Sequence, residues 1–342
     1  MNLFKKNKLN KIFFIIIFIF FIIQKTSKDD INIEPFEINF KYNKYFNYIP
    51  ISYGLNNNNF YPTLISITSI LENANNSTFY IFYLLVSKFK KNFSNKNKLK
   101  FKYLENNYKK CKINIIEIND NIFKYAKINR YPLPTYYRLL LAKLLPFLNR
   151  IIYLDGDTII YIDLLEMINL NMENNVIMGF IDDGYNYSKL FGIKTYKYIT
   201  AGVILINLES MNKENITYKF FDFIKKNRKL LIQEDQTVIN IVLHGRIGIL
   251  PCKFGIWSYS NFSDLLFHNK YKNFSNNLKC YDEKELLKAW KSPGIIHLVN
   301  NKPYLYDNYK LNYTFIKDWL YYANKTGQFK EIIKYYKFSL PI

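Results

Sequence analysis

Two carboxylates separated by one glycine, Asp155-Gly156-Asp157, are the residues of this sequence best placed to do chemistry. Acids two positions apart can both reach one ion, and a hard divalent cation wants oxygen ligands. The same tripeptide contains Asp-Gly, a favoured hairpin turn, so alone it does not separate a metal site from a turn. Other capable groups lie downstream. His297 could add an imidazole nitrogen, and a mixed carboxylate–imidazole set suits manganese better than calcium. A histidine in an apolar strand also fits a satisfied core residue. Lys302, in Lys302-Pro303-Tyr304, could meet a phosphate. Arg138 could pair with a phosphate or a sugar carboxylate, or form a structural ion pair. Asp182-Asp183-Gly184 reads as a sugar-binding pair or as a turn with Asx bonds. Asp235-Gln236 stands at a helix start, where it either complements the helix dipole or faces a substrate hydroxyl.

These groups need elements to hold them. The apolar run Ile151 to Leu154 reads as a buried strand, with its acids at the end where open α/β sheets bind ligands. Thr158 to Ile160 carries the chain away. Upstream, the pattern predicts a strand over Ile49–Tyr53, a loop over Gly54–Asn59 and a helix over Thr63–Asn73. A strand over Phe79–Val86, an amphipathic helix within 88–110 and a strand over Ile113–Ile118 follow. Pro134 opens a helix with Thr135 as its cap, and Pro146 stops it. Downstream come strands over Val176–Ile181 and Ile199–Leu208, the latter holding Ala201-Gly202, then helices over Phe220–Leu231 and Gln233–Leu243. Residues 255–292 are loop-like with a helix near Glu283–Trp290, Ile295–Val299 is a last short strand, and 309–337 is helical. Strands alternating with helices predict an α/β fold with a largely parallel sheet.

The chain has 342 residues, 49 % apolar and 22 % charged, room for one large globular domain or two small ones. A formal charge of +21 could attract nucleic acid, anionic lipid or phosphorylated substrates. Its lysines are spread along a chain saturated with Lys, Asn, Ile, Tyr and Phe, so a nucleic-acid partner is not expected. Cys111, Cys252 and Cys280 show no CxxC spacing, and an odd count is no disulfide framework; one bridge is allowed, between no identified pair. At the N-terminus Lys5, Lys6, Lys8 and Lys11 precede the unbroken apolar run Ile12 to Ile23. As a helix this run is about 18 Å long against roughly 30 Å of bilayer hydrocarbon. It is short for a span and right for a signal peptide, yet no clear small-x-small cleavage site follows. The expected organisation is a signal-anchor or signal peptide over 1–28, a stem over 29–47, a folded domain over 48–320 and a helical tail over 321–342. The protein is then membrane-attached, single-pass type II in the secretory pathway (Golgi) of a eukaryote, or secreted or lumenal if cleaved.

The order of the motifs carries more. Tyr-Tyr-Arg-Leu-Leu-Leu-Ala-Lys-Leu-Leu-Pro (136–146), Ile-Ile-Tyr-Leu-Asp-Gly-Asp-Thr (151–158) and Tyr-Ile-Thr-Ala-Gly-Val-Ile-Leu-Ile-Asn-Leu (198–208) come first. Glu-Asp-Gln-Thr-Val-Ile-Asn (234–240) and Ile-Ile-His-Leu-Val-Asn-Asn-Lys-Pro-Tyr (295–304) follow. From about residue 48 to 320 this resembles glycosyltransferase family 8, the glycogenin and lipopolysaccharide galactosyltransferase group. The resemblance implies a GT-A fold, with a mixed, mostly parallel sheet flanked by helices. It implies transfer of a hexose from a UDP-sugar to a hydroxyl of a glycan, glycolipid or glycoprotein, with retention. On it, Asp155, Asp157 and His297 hold Mn2+ (or Mg2+), Lys302 contacts the diphosphate, and Arg138 and Asp182 lie against the donor sugar. The donor-binding set becomes Tyr53, Asn56, Arg138, Asp155, Gly156, Asp157, Ala201, Gly202 and Lys302, and the catalytic set Gln236, Asp182 and Asp235.

The chain departs from the family pattern in three places. Asn56 and Asn59 stand where an acid and an aromatic usually grip the uracil, Thr200 where Asn or Cys is common, and Asn300 and Tyr304 where Gly and Trp are usual. The mechanism implied is departure of UDP with its charge neutralised by the metal and Lys302. No acid is an obvious nucleophile, which favours front-face attack. Two other readings compete. A weakly catalytic relative that binds a glycan or partner is motivated by Asn56 and Asn59. A nucleotidyltransferase is disfavoured, because no Gly-rich phosphate loop with a signature lysine follows the first strand.

Overall fold

Asp155-Gly156-Asp157 is the joint between two β-sheets in the computed structural model, which describes residues 33–37, 43–89, 93–182, 198–258, 263, 281–299, 302, 304 and 315–337. The large sheet is built from β1 (Asn47–Leu55), β2 (Thr78–Ser87), β3 (Cys111–Ile118), β4 (Arg150–Leu154), β6 (Ile177–Ile181), β7 (Ile199–Asn207) and β8 (Ile247–Ile249). Its order is β3-β2-β1-β4-β7-β6-β8. Only β7 runs against its neighbours, pairing antiparallel with both β4 and β6. The expected mixed, mostly parallel sheet is therefore observed. β5 (Thr158–Ile160), β9 (Ile256–Trp257) and β10 (Ile295–His297) make a small second sheet in the order β5-β10-β9.

Sequence explains the layers. β1 and β2 are almost wholly buried, as parallel strands covered on both faces must be. Helix Phe60–Glu72 buries Leu64, Ile67, Ile70 and Leu71 against them, and each such side chain contributes roughly 1.5–3 kcal/mol. A second apolar cluster joins Ile159 and Ile296 of the small sheet to Trp319, Tyr322 and Ile332 of helices Ile316–Lys325 and Phe329–Tyr335. The tail boundary expected at residue 320 thus falls inside a helix packed on the small sheet.

Other expectations shift for local reasons. The 88–110 helix is Asn95–Tyr108, capped by Ser94, whose Oγ accepts from the N–H of Asn97 at 3.2 Å, and ended by Lys109 in the left-handed region. The segment at Pro134 opens as a 3-10 helix, Leu133–Leu140, before the α-helical turn Leu141–Leu144. Thr135 lies inside it, donating to Pro132 O, and is not its cap. β7 ends at Asn207, whose side chain caps the short helix Leu208–Lys213. Cys111 and Cys252 are buried free thiols. The run Ile12–Ile23, residues 29–32 and 38–42 of the stem, Asp183-Gly184, Cys280 and Asn300 lie outside the described residues. No described helix is long and apolar enough to cross a membrane.

Candidate active site

Strand pairing brings the acids and the histidine together. β4 delivers Asp155, whose N–H donates to Gly202 O of β7 at 2.7 Å, and the Thr158 hydroxyl donates to Asp155 O at 2.9 Å. β10 pairs antiparallel with β5 in the register His297↔Thr158, so His297 stands beside Asp157, and Leu298 N–H donates to Asp157 O at 2.9 Å. His297 Nε2 lies 3.3 Å from Asp157 Oδ1 and 3.8 Å from Asp155 Oδ2. One ligand atom from each of Asp155, Asp157 and His297 falls within 4.8 Å of the others. Two carboxylates and an imidazole suit a divalent cation. His297 Nδ1 is buried with no hydrogen-bond partner among the described residues.

Two glycines make this approach feasible. A Cβ on Gly156 would stand 2.2 Å from Thr63 Oγ1, and one on Gly202 would stand 2.1 Å from His297 Cε1 and 2.7 Å from Asp155 Oδ2. The Gly202→Ala variant is therefore expected to push the histidine and the first acid apart. Its affinity for Mn2+, followed by calorimetry, should fall at least about tenfold, since misplaced ligands lose that much.

The opposite wall comes from other elements. Arg138, 3 % exposed on the 3-10 segment, donates from Nη2 to Asp155 Oδ1 at 2.9 Å, from Nη1 to Ala201 O and from Nε to Thr135 O at 2.8 Å. Asp235 Oδ2 lies 3.0 Å from Arg138 Nε, an ion pair without hydrogen-bond alignment because that N–H points at Thr135 O. Asp235 and Gln236 open helix Glu234–Val242, which Asn240 docks on β7 by bonding both backbone groups of Ile199 at 2.8 Å. Gln236 Oε1 accepts from Ala201 N–H at 3.1 Å, and its Nε2 donates to Asp182 Oδ2 at 2.7 Å. Lys302 donates to Asp157 Oδ2. Arg138, Asp182, Asp235, Gln236 and Lys302 line one cleft of about 500 Å³ with the two acids and His297.

The sequence profile of glycosyl transferase family 8 matches residues 50–307, most of the chain. The chain belongs to this family. Proteins similar to it include a Haemophilus influenzae protein named provisionally as a glycosyltransferase, 30 % identical over 151 residues, 42 % of this chain and 46 % of that one. Lipopolysaccharide 1,2-glucosyltransferase of Escherichia coli is 28 % identical over 212 residues, 60 % of this chain and 61 % of its own. The matched stretch spans less than two thirds of these relatives' length. The structure of the galactosyltransferase LgtC in complex with donor and acceptor sugar analogues superposes with a TM-score of 0.67, at 17 % identity, over 81 % of this chain and 96 % of that one. The fold is the GT-A fold.

Within this family 8 chain, Arg138, Asp155, Gly156, Asp157, Asp182, Ala201, Gly202, Asp235, Gln236, His297 and Lys302 all line the cleft. Tyr53 does not: it is fully buried, and its hydroxyl bonds Ser66, which in turn bonds Thr158. Asn56 reaches the rim, but its Oδ1 accepts from the N–H groups of Asn58 and Asn59 at 3.0 and 3.1 Å. Asn59 donates to Gly54 O at 2.9 Å, so the two asparagines hold their own loop. Sequence reasoning missed Glu234. It is fully buried in the left-handed region, at φ 40°, and its Oε1 accepts from the N–H of Arg130 at 2.7 Å and of Asn129 at 3.2 Å. It thereby fixes the loop that brings Arg130 and Tyr131 to the cleft. Its one signal in the sequence is an acid directly before Asp235.

Charge is balanced unevenly. Burial alone would raise the Asp157 carboxyl, but the Lys302 ammonium and His297 pull it well below the usual range. Burial pushes Asp235 up to about 6 against the pull of Arg138. A carboxyl raised in the folded state still holds its proton where the unfolded chain has lost it. Its contribution to stability is full below the unfolded value of 3.8 and is lost as pH rises through about 6. Relative to Asp235→Asn, the wild type should therefore lose about 2 kcal/mol between pH 4 and pH 7, read from denaturant unfolding at each pH.

Proposed function

We propose that this chain is a retaining hexosyltransferase that moves a hexose from a UDP-sugar to a hydroxyl of a glycan, glycolipid or glycoprotein, using Mn2+ or Mg2+. The observation that carries the reading is the convergence of Asp155, Asp157, His297 and Lys302 on one cleft with Arg138, Asp182 and Gln236. A cleft of about 500 Å³ is of the size small-molecule ligands occupy. The solved LgtC complex, with donor and acceptor sugar analogues, and the glucosyl transfer named for the Escherichia coli relative support the substrate class.

Asp155, Asp157 and His297 would hold the ion, which when bound supplies Lewis acidity at the diphosphate. Lys302 contributes a fixed ammonium. Burial opposes its charge, but Asp157 raises its pKa, so it stays protonated beside the departing phosphate. Gln236, fixed by Ala201 and Asp182, presents a positioned amide to the sugar. Each cleft acid is already engaged: Asp155 by Arg138, Asp157 by Lys302, Asp182 by Gln236 and Asp235 by Arg138. That engagement favours front-face attack over a carboxylate nucleophile. The acceptor oxygen bonds the anomeric carbon on the face from which the phosphate oxygen departs, and the acceptor proton passes to that phosphate. The Lys-flanked run Ile12–Ile23 supports membrane attachment in the secretory pathway.

A panel of UDP-sugars with the full-length chain and Mn2+, followed by UDP release, tests this reading. One donor should be hydrolysed above the rest, and chelation should stop it. If no donor releases UDP, a glycan- or partner-binding role replaces the enzyme.

A further inference from the structure

Four exposed large apolar side chains, Tyr125, Ile128, Tyr131 and Ile232, lie on two stretches of chain that meet at the mouth of the cleft. Phe123 stacks on Phe221 of helix Ile216–Asn227, with ring centroids 5.3 Å apart. Lys225 of the same helix stands 5.5 Å from the centroid of the Tyr125 ring, and Glu234 Oε1 holds the N–H groups of Asn129 and Arg130. Residues 121–131 and 223–233 thereby form one surface, with Arg130, Tyr131 and Gln233 on the cleft wall.

This surface is basic as well as apolar. Lys124, Lys127 and Arg130 lie on the first stretch, Lys225, Lys226, Arg228 and Lys229 on the second, and neither stretch contains an exposed acid. The acids beside them are engaged: Asp120 by the Ser87 and Tyr137 hydroxyls, Asp222 by Lys226 and Glu234 by backbone N–H groups. Helix Asn95–Tyr108 gives the contrast. It also exposes Leu99 and Tyr103, but its Lys96, Lys98, Lys100 and Lys102 are each paired with a glutamate.

Tyrosine and isoleucine interleaved with uncompensated Lys and Arg suit one environment, the surface of an anionic bilayer. Rings and aliphatic groups enter the headgroup boundary, and the cations meet lipid phosphates. A polyanion without hydrocarbon would leave Ile128, 60 % exposed, in water. We infer that this face docks on an anionic lipid surface and sets the mouth of the cleft at headgroup level. The contact is separate from the run Ile12–Ile23 and does not depend on which sugar is transferred.

Two variants of the full-length chain, Ile128→Trp and Leu99→Trp, test this with vesicles of brominated phosphatidylcholine and phosphatidylserine. Quenching beyond that of the native tryptophans reports contact with acyl chains. Ile128→Trp should be quenched and Leu99→Trp should not. Each cation near such a surface is worth roughly fivefold in partitioning. Adding Lys225→Gln, Arg228→Gln and Lys229→Gln to Ile128→Trp should therefore abolish its quenching, whereas adding Lys96→Gln, Lys98→Gln and Lys102→Gln, the same loss of charge, should not. No quenching of Ile128→Trp, equal quenching of the two tryptophans, or equal loss from the two glutamine sets overturns the inference. So does an Ile128→Trp emission that vesicles leave unchanged and an oligonucleotide or heparin shifts, which makes the face a polyanion site. The comparison of the two tryptophans decides the matter even if a glutamine set prevents folding.

Discussion

Asp157→Ala is expected to slow UDP release from the donor by about a hundred- to a thousandfold, the usual effect of losing one preorganised charge-stabilising group. Three contacts converge on this carboxylate. It is one of the three grouped ligand atoms, it holds Lys302, and it lies 3.3 Å from His297 Nε2. Its removal leaves Asp155 and His297, too few protein ligands to fix an ion at low concentration. It also frees Lys302 from the position in which it can face a phosphate. The loss should appear in kcat and in the Mn2+ concentration needed for half-activity. Backbone pairing around the site does not depend on the side chain, since Asp157 O accepts from Leu298 N–H through the main chain. Far-ultraviolet circular dichroism of the variant should therefore match wild type.

Arg138→Met should produce the largest loss of stability. The guanidinium is 3 % exposed, stacks on the Tyr153 ring at 4.0 Å, and faces two carboxylates and two backbone carbonyls. Breaking a buried pair from one side leaves an uncompensated charge and costs about 3–5 kcal/mol. In a chain of this size that lowers Tm by roughly 4–7 °C. Arg138→Lys should not rescue it, because one ammonium cannot reach Asp155, Ala201 O and Thr135 O in the fixed fork geometry. The deficit should carry a pH signature. Without Arg138 the burial of Asp235 goes unopposed, its carboxyl rises above the present value of about 6, and the variant recovers stability as pH falls toward 5. A variant that merely lost packing would show no such recovery.

How far the sequence led depends on the residue. The β4 acids were legible because an unbroken apolar run ends abruptly in charge, which marks a strand end. His297 and Lys302 were legible as a candidate ligand and a candidate phosphate partner, and the order of motifs is what tied them to the β4 acids. What joins them to Asp157 is the antiparallel pairing of β5 with β10, and no local pattern encodes a register between distant strands. The reversal of β7 was hidden for a related reason: an apolar run reads alike in either direction. β8 and β9, three and two residues long, are too short to show a period. Tyr53 misled because β1 is buried on both faces, so strand alternation could not say which side meets ligand. Glu234 stayed invisible because its role depends on a left-handed backbone that aims its carboxylate at a loop more than a hundred residues away.

The central claim is that Asp155, Asp157 and His297 hold a divalent ion for a nucleotide diphosphate. Electron paramagnetic resonance of free aqueous Mn2+ measures this directly when the full-length chain is titrated in the presence of UDP. Wild type should remove one ion per chain from the free signal, and His297→Ala should require a Mn2+ concentration at least about tenfold higher to do the same. A free signal unchanged by the wild-type chain, or the same titration for His297→Ala as for wild type, would contradict the account.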